Sequence, residues 1–187
     1  METRQYSILC WFKNCDDNFV WIFSSVYGPI HYSEREFLWF ELMDIRGLWS
    51  DPWCVGGDFN VVRLPSERRN CLNLFSTMKH FSEVIDELQL RDLPLTGGSY
   101  TWCGGLNNRS GSRLDHFLIS EDWESHFSNL SQSLLPKPTS DHAPILLDGG
   151  GIRGKKTPFR FENMWLSGGV QRLGQEVVDL LQFQRIL

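Results

Sequence analysis

Trp53-Cys54-Val55-Gly56-Gly57-Asp58-Phe59-Asn60 is the stretch from which the rest of the chain can be read. It has the form of a short buried strand that ends abruptly in two glycines. A carboxylate and a carboxamide follow, with one aromatic between them. Alternate residues of extended backbone share a face, so the stretch predicts Asp58 and Asn60 on one side and Phe59 on the other. The glycines permit a sharp backbone turn and the close approach of a neighbour. A carboxylate and a carboxamide converging at a strand end suit a hydrated hard cation or a water beside a phosphate. An Asp/Asn-rich turn after a strand is the plainer alternative.

Upstream, Tyr6 to Phe12 and Phe19 to Val26 are β-prone runs split by Lys13-Asn14-Cys15-Asp16-Asp17-Asn18, a hairpin signal. The second run ends in Val26-Tyr27-Gly28-Pro29, a strand followed by a forced turn. Ser33 with Glu36 three residues on reads as a capping box. Leu38, Leu42, Ile45 and Trp49 then recur at helical spacing, which predicts a helix packed by one face on a sheet. Asp51-Pro52 stops that helix and feeds the glycine-bearing strand. Downstream, Arg63 to Asn73 is polar and irregular. Leu74, Met78, Phe81, Ile85 and Leu88 follow at alternating four- and three-residue steps, which predicts a second amphipathic helix over about 74–88. Ser99 to Cys103 is a strand after the Gly97-Gly98 turn. Gly104 to Ser112 is a loop, and Arg113 to Ile119 returns as the partner of that strand. Ser120 can cap a short helix over 121–127. Leu130 to Leu135 and Ala143 to Leu147 are two more short strands.

Asp148-Gly149-Gly150-Gly151, followed by Arg153, Lys155 and Lys156, marks a domain edge. One domain is therefore expected over 1–150. Residues 151–187 form a separate stretch, aromatic and extended from Phe159 to Trp165 and helix-like from Val170 to Ile186. Hairpins dominate late in the chain. That favours an α/β (α+β) fold of two mixed sheets with helices outside, over a parallel doubly wound sheet.

The 187 residues suffice for a real core, and eight Trp and thirteen Phe give it, or a binding face, a large aromatic content. The formal net charge of −5 argues against a protein held to DNA by bulk charge. It is compatible with an enzyme that touches a few phosphates in one cleft. There is no bilayer-spanning apolar run and no secretory signal pattern, so neither a membrane partner nor secretion is expected. The five cysteines are odd in number and scattered, without zinc-ligand spacing. They read as reduced thiols of an intracellular protein.

Four polar clusters sit at strand ends: Tyr27, then Asp58 with Asn60, then Asp115, then Ser140-Asp141-His142. Together they suit hydrolysis of a phosphodiester. Asp58, Asn60 and Asp141 offer oxygens to Mg²⁺. His142 can meet a phosphate oxygen or the attacking water, Asp115 can fix its tautomer, and Tyr27 can hydrogen-bond a non-bridging oxygen. Each also has a plain reading. Tyr27 ends a strand, Asp115 follows Arg113 as a surface ion pair, and His142 sits in a turn before Ala-Pro. The residues are not diagnostic singly; their order is.

That order resembles the endonuclease/exonuclease/phosphatase superfamily, the DNase-I-like fold. It rests on Val26-Tyr27-Gly28-Pro29, Gly56-Gly57-Asp58-Phe59-Asn60, Tyr100-Thr101-Trp102, Arg113-Leu114-Asp115-His116 and Ser140-Asp141-His142. More narrowly, the chain is similar over residues 18 to 166 to the endonuclease domain of plant LINE-type (non-LTR) retrotransposons. Phe159 to Trp165 looks like the linker ahead of a reverse transcriptase. The resemblance implies a four-layer αββα sandwich and DNA cleavage with Mg²⁺ (or Mn²⁺). It implies that Asp58 orients or activates water with Asn60 beside it, and that His142 sits on the scissile phosphate with Asp115 behind it. It also places Asp141 near the metal, Tyr27 on the phosphate, Thr101 on a hairpin near the DNA, and Ser140 before the Asp-His pair. A nuclear location is implied, with a cytoplasmic one as the alternative.

Members of the superfamily carry an active-site Asn and a metal-ligating Glu in strands ahead of the tyrosine strand. Here twenty-six residues precede Tyr27, and Glu2 is not in that strand context. The expectation is therefore a chain truncated at its N-terminal sheet, with an open edge, low solubility, weakened Mg²⁺ binding and little or no nicking activity. Two other classes stay open at this point. One is a non-catalytic remnant with at most nucleic-acid binding; the other is a phosphomonoesterase acting on a sugar or lipid phosphate.

Overall fold

A computed structural model describes residues 1–105, 109–127, 129–137 and 140–149. The expected extended segment and helix of 151–187 lie outside the described residues. The hairpin forms as expected: β2 (Ser7–Lys13) and β3 (Val20–Tyr27) pair antiparallel, with β1 (Glu2–Thr3) as a short edge. The chain then crosses through α1 (Arg35–Leu48) to β4 (Trp53–Asp58), which lies parallel to β3. Helix α2 (Ser76–Glu87) leads to β5 (Leu90–Asp92). β9 (Asp115–Ser120) inserts antiparallel between β4 and β5, completing a six-stranded sheet in the order β1-β2-β3-β4-β9-β5. A three-stranded sheet holds β6 (Leu95–Thr96), β10 (Ser131–Leu134) and β11 (Ile145–Asp148), with β10 central. β7 (Trp102–Gly104) and β8 (Ser110–Ser112) form a separate hairpin.

The central strands β4 and β9 are buried on both faces, and the alternation along them assigns each residue to a side. Trp53, Val55 and Leu118 face a cluster with Leu38, Leu42 and Ile45 of α1 and with Phe81, Val84 and Ile85 of α2. Cys54, Phe117 and Ile119 face the opposite way, onto Trp123, Ile145 and Leu147 beside the smaller sheet. Trp123 lies on the short helix α3 (Glu121–His126). This is the layered α/β architecture expected of a DNase-I-like chain. The two sheets are also joined by a polar tie. β5 stops pairing with β9 at Leu118, so the Phe117 N–H beyond it is donated to the Gln132 side-chain oxygen, which is fully buried.

Local details differ from expectation. β4 does not end at its glycines but runs through them to Asp58. Gly57 has φ +147°, and a Cβ there would collide with the Val26 carbonyl oxygen of β3. The glycine serves strand contact, not a turn. The Ser33 capping box is absent, because a 3₁₀ turn over Tyr32–Glu34 runs directly into α1 and leaves Ser33 away from the helix boundary. α2 begins at Ser76, leaving Leu74 exposed. β9 does not pair with the 99–103 stretch: β7 takes β8, and β9, buried at all six residues, takes β4 and β5. Ser120 stands at the start of α3, yet its hydroxyl accepts the Trp53 N–H instead of capping the helix.

The plain alternative for Asp115, a surface ion pair with Arg113, is not what forms: Arg113 is 6% exposed. It lies in a polar network beneath the loops that leave β4 and enter β9. Its guanidinium donates to Glu67 Oε1 at 2.9 Å, to Asp92 Oδ1 at 2.6 Å and to the Leu93 carbonyl at 2.8 Å. Glu67 Oε2 accepts the N–H groups of Arg63 and Leu64, and the Arg113 N–H returns to the Glu67 carbonyl. His116, fully buried between the edges of Phe59 and Phe81, places Nδ1 3.3 Å from Asp92 Oδ2. Burial pushes the Asp92 carboxyl upward. The hydrogen bond and charge of His116, with Arg113 and Arg63, outweigh burial and hold it below the ordinary carboxylate value.

These contacts lead to three stability predictions. Gly57→Ala should destabilise the fold by at least about 2 kcal/mol, since it adds both strain and a backbone collision. Gly47→Ala, in α1 with open space around it, should stabilise by roughly 0.5–1 kcal/mol. Urea denaturation separates the two, and equal midpoints would contradict the packing. Arg113→Leu strands two buried carboxylates and should cost about 3–5 kcal/mol. Because the folded pKa of Asp92 is depressed, its contribution is present above the unfolded value near ~3.9 and is lost as pH falls through the folded value. Asp92→Asn should therefore lower the urea midpoint at pH 6 and flatten its decline toward pH 3.

Candidate active site

The ladder register aligns three of the expected residues in one row across the sheet. Tyr27 is beside Asp58 in the parallel pairing of β3 with β4, and Asp58 is beside Asp115 in the antiparallel pairing of β4 with β9. Neighbours in such a row share a face, and here it is the face turned toward the smaller sheet. His142 arrives from the segment ahead of β11. Its Nδ1 lies 2.9 Å from Asp115 Oδ2, and its Nε2 lies 3.9 Å from Asp58 Oδ2. Asp115 is buried, Asp58 and His142 are half-buried, and Tyr27 is 67% exposed at the rim.

The electrostatics follow from this crowding. Burial, then the adjacent Asp115 carboxylate, pushes Asp58 up to about 6. The Asp115 hydrogen bond lifts His142 above the ordinary imidazole value against burial, which pulls it down; Asp58 and Asp141 add to the lift. The His142 ring is thus oriented by one carboxylate and turned toward another. That arrangement can donate a proton or a hydrogen bond to an anionic oxygen lodged beside Asp58.

Asn60 stays next to Asp58, though not by strand alternation. It has φ +53°, and its N–H is donated to Asp58 Oδ1 at 2.8 Å, closing a tight turn. Its side-chain NH₂ binds the Gly28 carbonyl, which leaves its amide oxygen as the group available to a ligand. Phe59 points into the helix-side core, as expected. Arg35, at the start of α1, was not singled out from the sequence. Its guanidinium clasps the carbonyls of Pro29, Ile30 and Asn60, holding the loops after β3 and β4 together beneath the site.

The remaining expected residues fall into two settings. Thr101 is 1% exposed, so its hydroxyl faces protein, not solvent. It accepts the N–H groups of Leu114 and Asp115, while its carbonyl accepts Ala143 N–H. Thr101 thereby binds the Asp115 segment to the His142 segment. Ser140 and Asp141 are exposed. The Ser140 hydroxyl accepts the His142 N–H, and Asp141 Oδ2 accepts Trp102 Nε1–H at 2.8 Å. The indole hydrogen bond holds Asp141 below the ordinary carboxylate value.

Among the described residues, Glu67, Asp92 and His116 bring possible ligand atoms within 4.8 Å of one another. The Arg113 guanidinium already occupies both carboxylates, so this group suits an internal ion pair better than a metal. At Asp58 the situation is reversed. Among the described residues no guanidinium or ammonium makes an ion pair with the two crowded carboxylates, although Arg35 is near enough to Asp58 for a charge interaction, and a hard divalent cation would relieve that crowding. No helix among the described residues is long and apolar enough to cross a membrane. The five cysteines are free thiols.

A sequence profile of the Endonuclease/Exonuclease/phosphatase family matches residues 4–142. No curated protein matches the chain. Among solved structures, the endonuclease domain of TRAS1, a telomere-specific non-LTR retrotransposon, superposes with a TM-score of 0.59 at 16% identity, covering 75% of this chain and 61% of that one. The AP endonuclease LMAP from Leishmania major gives 0.58 at 14% identity, covering 75% and 53%. The 3′ phosphatase NExo from Neisseria, bound to a product DNA hairpin, gives 0.57 at 17% identity, covering 77% and 64%. The chain thus spans between 53% and 64% of the length of these structures. The likenesses define its fold, and with the profile match over most of its length the chain belongs to the endonuclease/exonuclease/phosphatase family.

Proposed function

We propose that the chain is a metal-dependent phosphodiester hydrolase acting on DNA, of the kind carried by non-LTR retrotransposons ahead of a reverse transcriptase. The observation that carries the reading is the Asp115–His142–Asp58 relay at the end of the β3–β4–β9 row. Asp58, the Asn60 amide oxygen and Asp141 are the oxygens that would hold Mg²⁺ or Mn²⁺. When bound, such an ion neutralises charge developing on the phosphoryl oxygens and makes water a better nucleophile at neutral pH. Asp58 orients the attacking water. His142, its Nδ1–H engaged by Asp115, presents Nε2 to a phosphate oxygen as charge builds. Tyr27 offers a phenolic O–H from the rim.

A phosphomonoesterase is the second reading, favoured by the solved 3′ phosphatase of like fold. Nicking of supercoiled plasmid with Mg²⁺ distinguishes them. Conversion of plasmid to open circles should be slow, in line with the weakened Mg²⁺ binding expected from the sequence, and Asp58→Ala and His142→Ala should each lower the remaining rate by about 100-fold or more. Asp115→Asn, which keeps shape but loses charge, should lower it roughly 10- to 100-fold. Release of phosphate from a 3′-phosphorylated oligonucleotide without any nicking would move the assignment to the second reading. Loss of neither activity in the Asp58 and His142 variants would remove the site from the chemistry altogether.

A further inference from the structure

A second polar feature lies beside the relay and takes no part in it. A cavity of about 260 Å³ is lined by Arg68, Arg69, Asn70, Trp102, Arg109 and the β8 backbone. A wider hollow of about 420 Å³ continues from it along Arg68, Arg69 and Asn70. The three arginines are exposed, on a chain whose net charge is −5. Such concentration of positive charge in one concave place, on an otherwise acidic protein, is the electrostatic form of an anion site. Trp102 lines the cavity, donates its indole N–H to Asp141 and bridges His142 through its backbone, so one fixed residue joins the cavity to the segment that carries His142. Arg69 also sits over the Tyr100 ring, 5.2 Å from its centroid, which pre-positions its guanidinium.

Backbone pairing fixes how far this cavity lies from the reacting centre. His142 bridges Trp102, Trp102 pairs with Ser112, and Ser112 bridges Arg68. Three strand steps of about 4.8 Å put the Arg68 backbone roughly 14 Å from that of His142. Arg109 directly precedes β8 and lines the cavity. One phosphate cannot sit at Asp58 and also in the arginine cavity. A ligand that fills both must carry at least two phosphates joined by a spacer, as a polynucleotide backbone does and a phosphorylated sugar does not.

We infer that Arg68, Arg69 and Arg109 form a phosphate subsite for a nucleic-acid strand, about two nucleotides from the phosphodiester held at Asp58 and His142. The inference rests on the hydrolase reading of that centre and assigns its substrate class as a polymer. Guanidinium forks suit phosphate oxygens, and contacts of this kind position a strand without reading its sequence.

The test uses His142→Ala protein, in which binding is read with the chemistry removed. Its affinity for a fluorescein-labelled 20-base-pair duplex is measured by anisotropy over a series of salt concentrations. Adding Arg68→Gln and Arg109→Gln should weaken binding at least tenfold at 100 mM salt. It should also make the log–log salt slope shallower by about 1–2, as expected for one or two lost phosphate contacts. Lys79→Gln with Arg91→Gln removes the same charge from surface positions away from the cavity and should change neither quantity. An unchanged slope in the Arg68/Arg109 variant, an equal loss in the control, or no binding by the parent would overturn the subsite. Nicking by the wild-type chain is scored separately. Nicking with an unchanged slope sinks the subsite alone, and a slope change without nicking sinks the hydrolase reading alone.

Discussion

The candidate site depends on how closely β3 and β4 pass at Gly57. With no Cβ, that residue lets the Val26 carbonyl come within the space a side chain would occupy, and it takes a φ that other residues rarely adopt. The parallel register between the strands is thereby held to their ends, where Tyr27 meets Asp58. β9 carries the row on to Asp115; the Thr101 hydroxyl accepts the N–H groups of Leu114 and Asp115 at the entry to β9, and the Thr101 carbonyl accepts Ala143 N–H from the segment that delivers His142. Each functional side chain is thus placed by backbone hydrogen bonds of a different element, so the relay needs the whole sheet edge and not any single loop.

Beneath that edge, the Arg113–Glu67–Asp92 network substitutes polar order for apolar packing. Burying three charges is costly, and the arrangement is tolerable because both carboxylates and the terminal nitrogens of Arg113 are paired, with Arg113 Nε left without a hydrogen-bond partner. Its effect is geometric. Glu67 holds the loop that follows Asn60, and Arg113, anchored on Glu67, Asp92 and Leu93, holds the chain two residues before Asp115. Arg35 does the same for the turn after β3. Tyr27, Asp58 and His142 reach the rim, while Asp115 and the Arg113–Glu67–Asp92 network are buried behind it.

Much of this was legible in the sequence where the signal is local. Periodicity placed both long helices, with Leu38, Leu42, Ile45, Phe81 and Ile85 facing the core. The turn residues of 13–18 placed the first hairpin. The order of Tyr27, Asp58, Asp115 and His142 along the chain placed four residues that the structure gathers on one edge. What the sequence hid is long-range. Glu67, Asp92 and Arg113 are separated by 21 to 46 residues, and nothing in Ser66-Glu67-Arg68 distinguishes a buried carboxylate from a solvated one. Gly57 looked like a turn glycine because a turn does follow, three residues on at Asn60. Thr101 looked like a surface contact because its hairpin is at the surface, although its own hydroxyl points inward. The pairing of β9 was missed for the same reason: a strand buried on both faces seeks two partners, and the nearer hairpin arm was already taken.

The central claim is that water, oriented at Asp58, attacks a phosphorus in a nucleic-acid strand. It is tested most directly by cleaving a defined duplex in oxygen-18-enriched water under single-turnover conditions and weighing the fragments. The account predicts that the label enters the terminal phosphate of the product and that Asp58→Asn abolishes its appearance. An unlabelled phosphate, or full labelling by the Asp58→Asn protein, would contradict it.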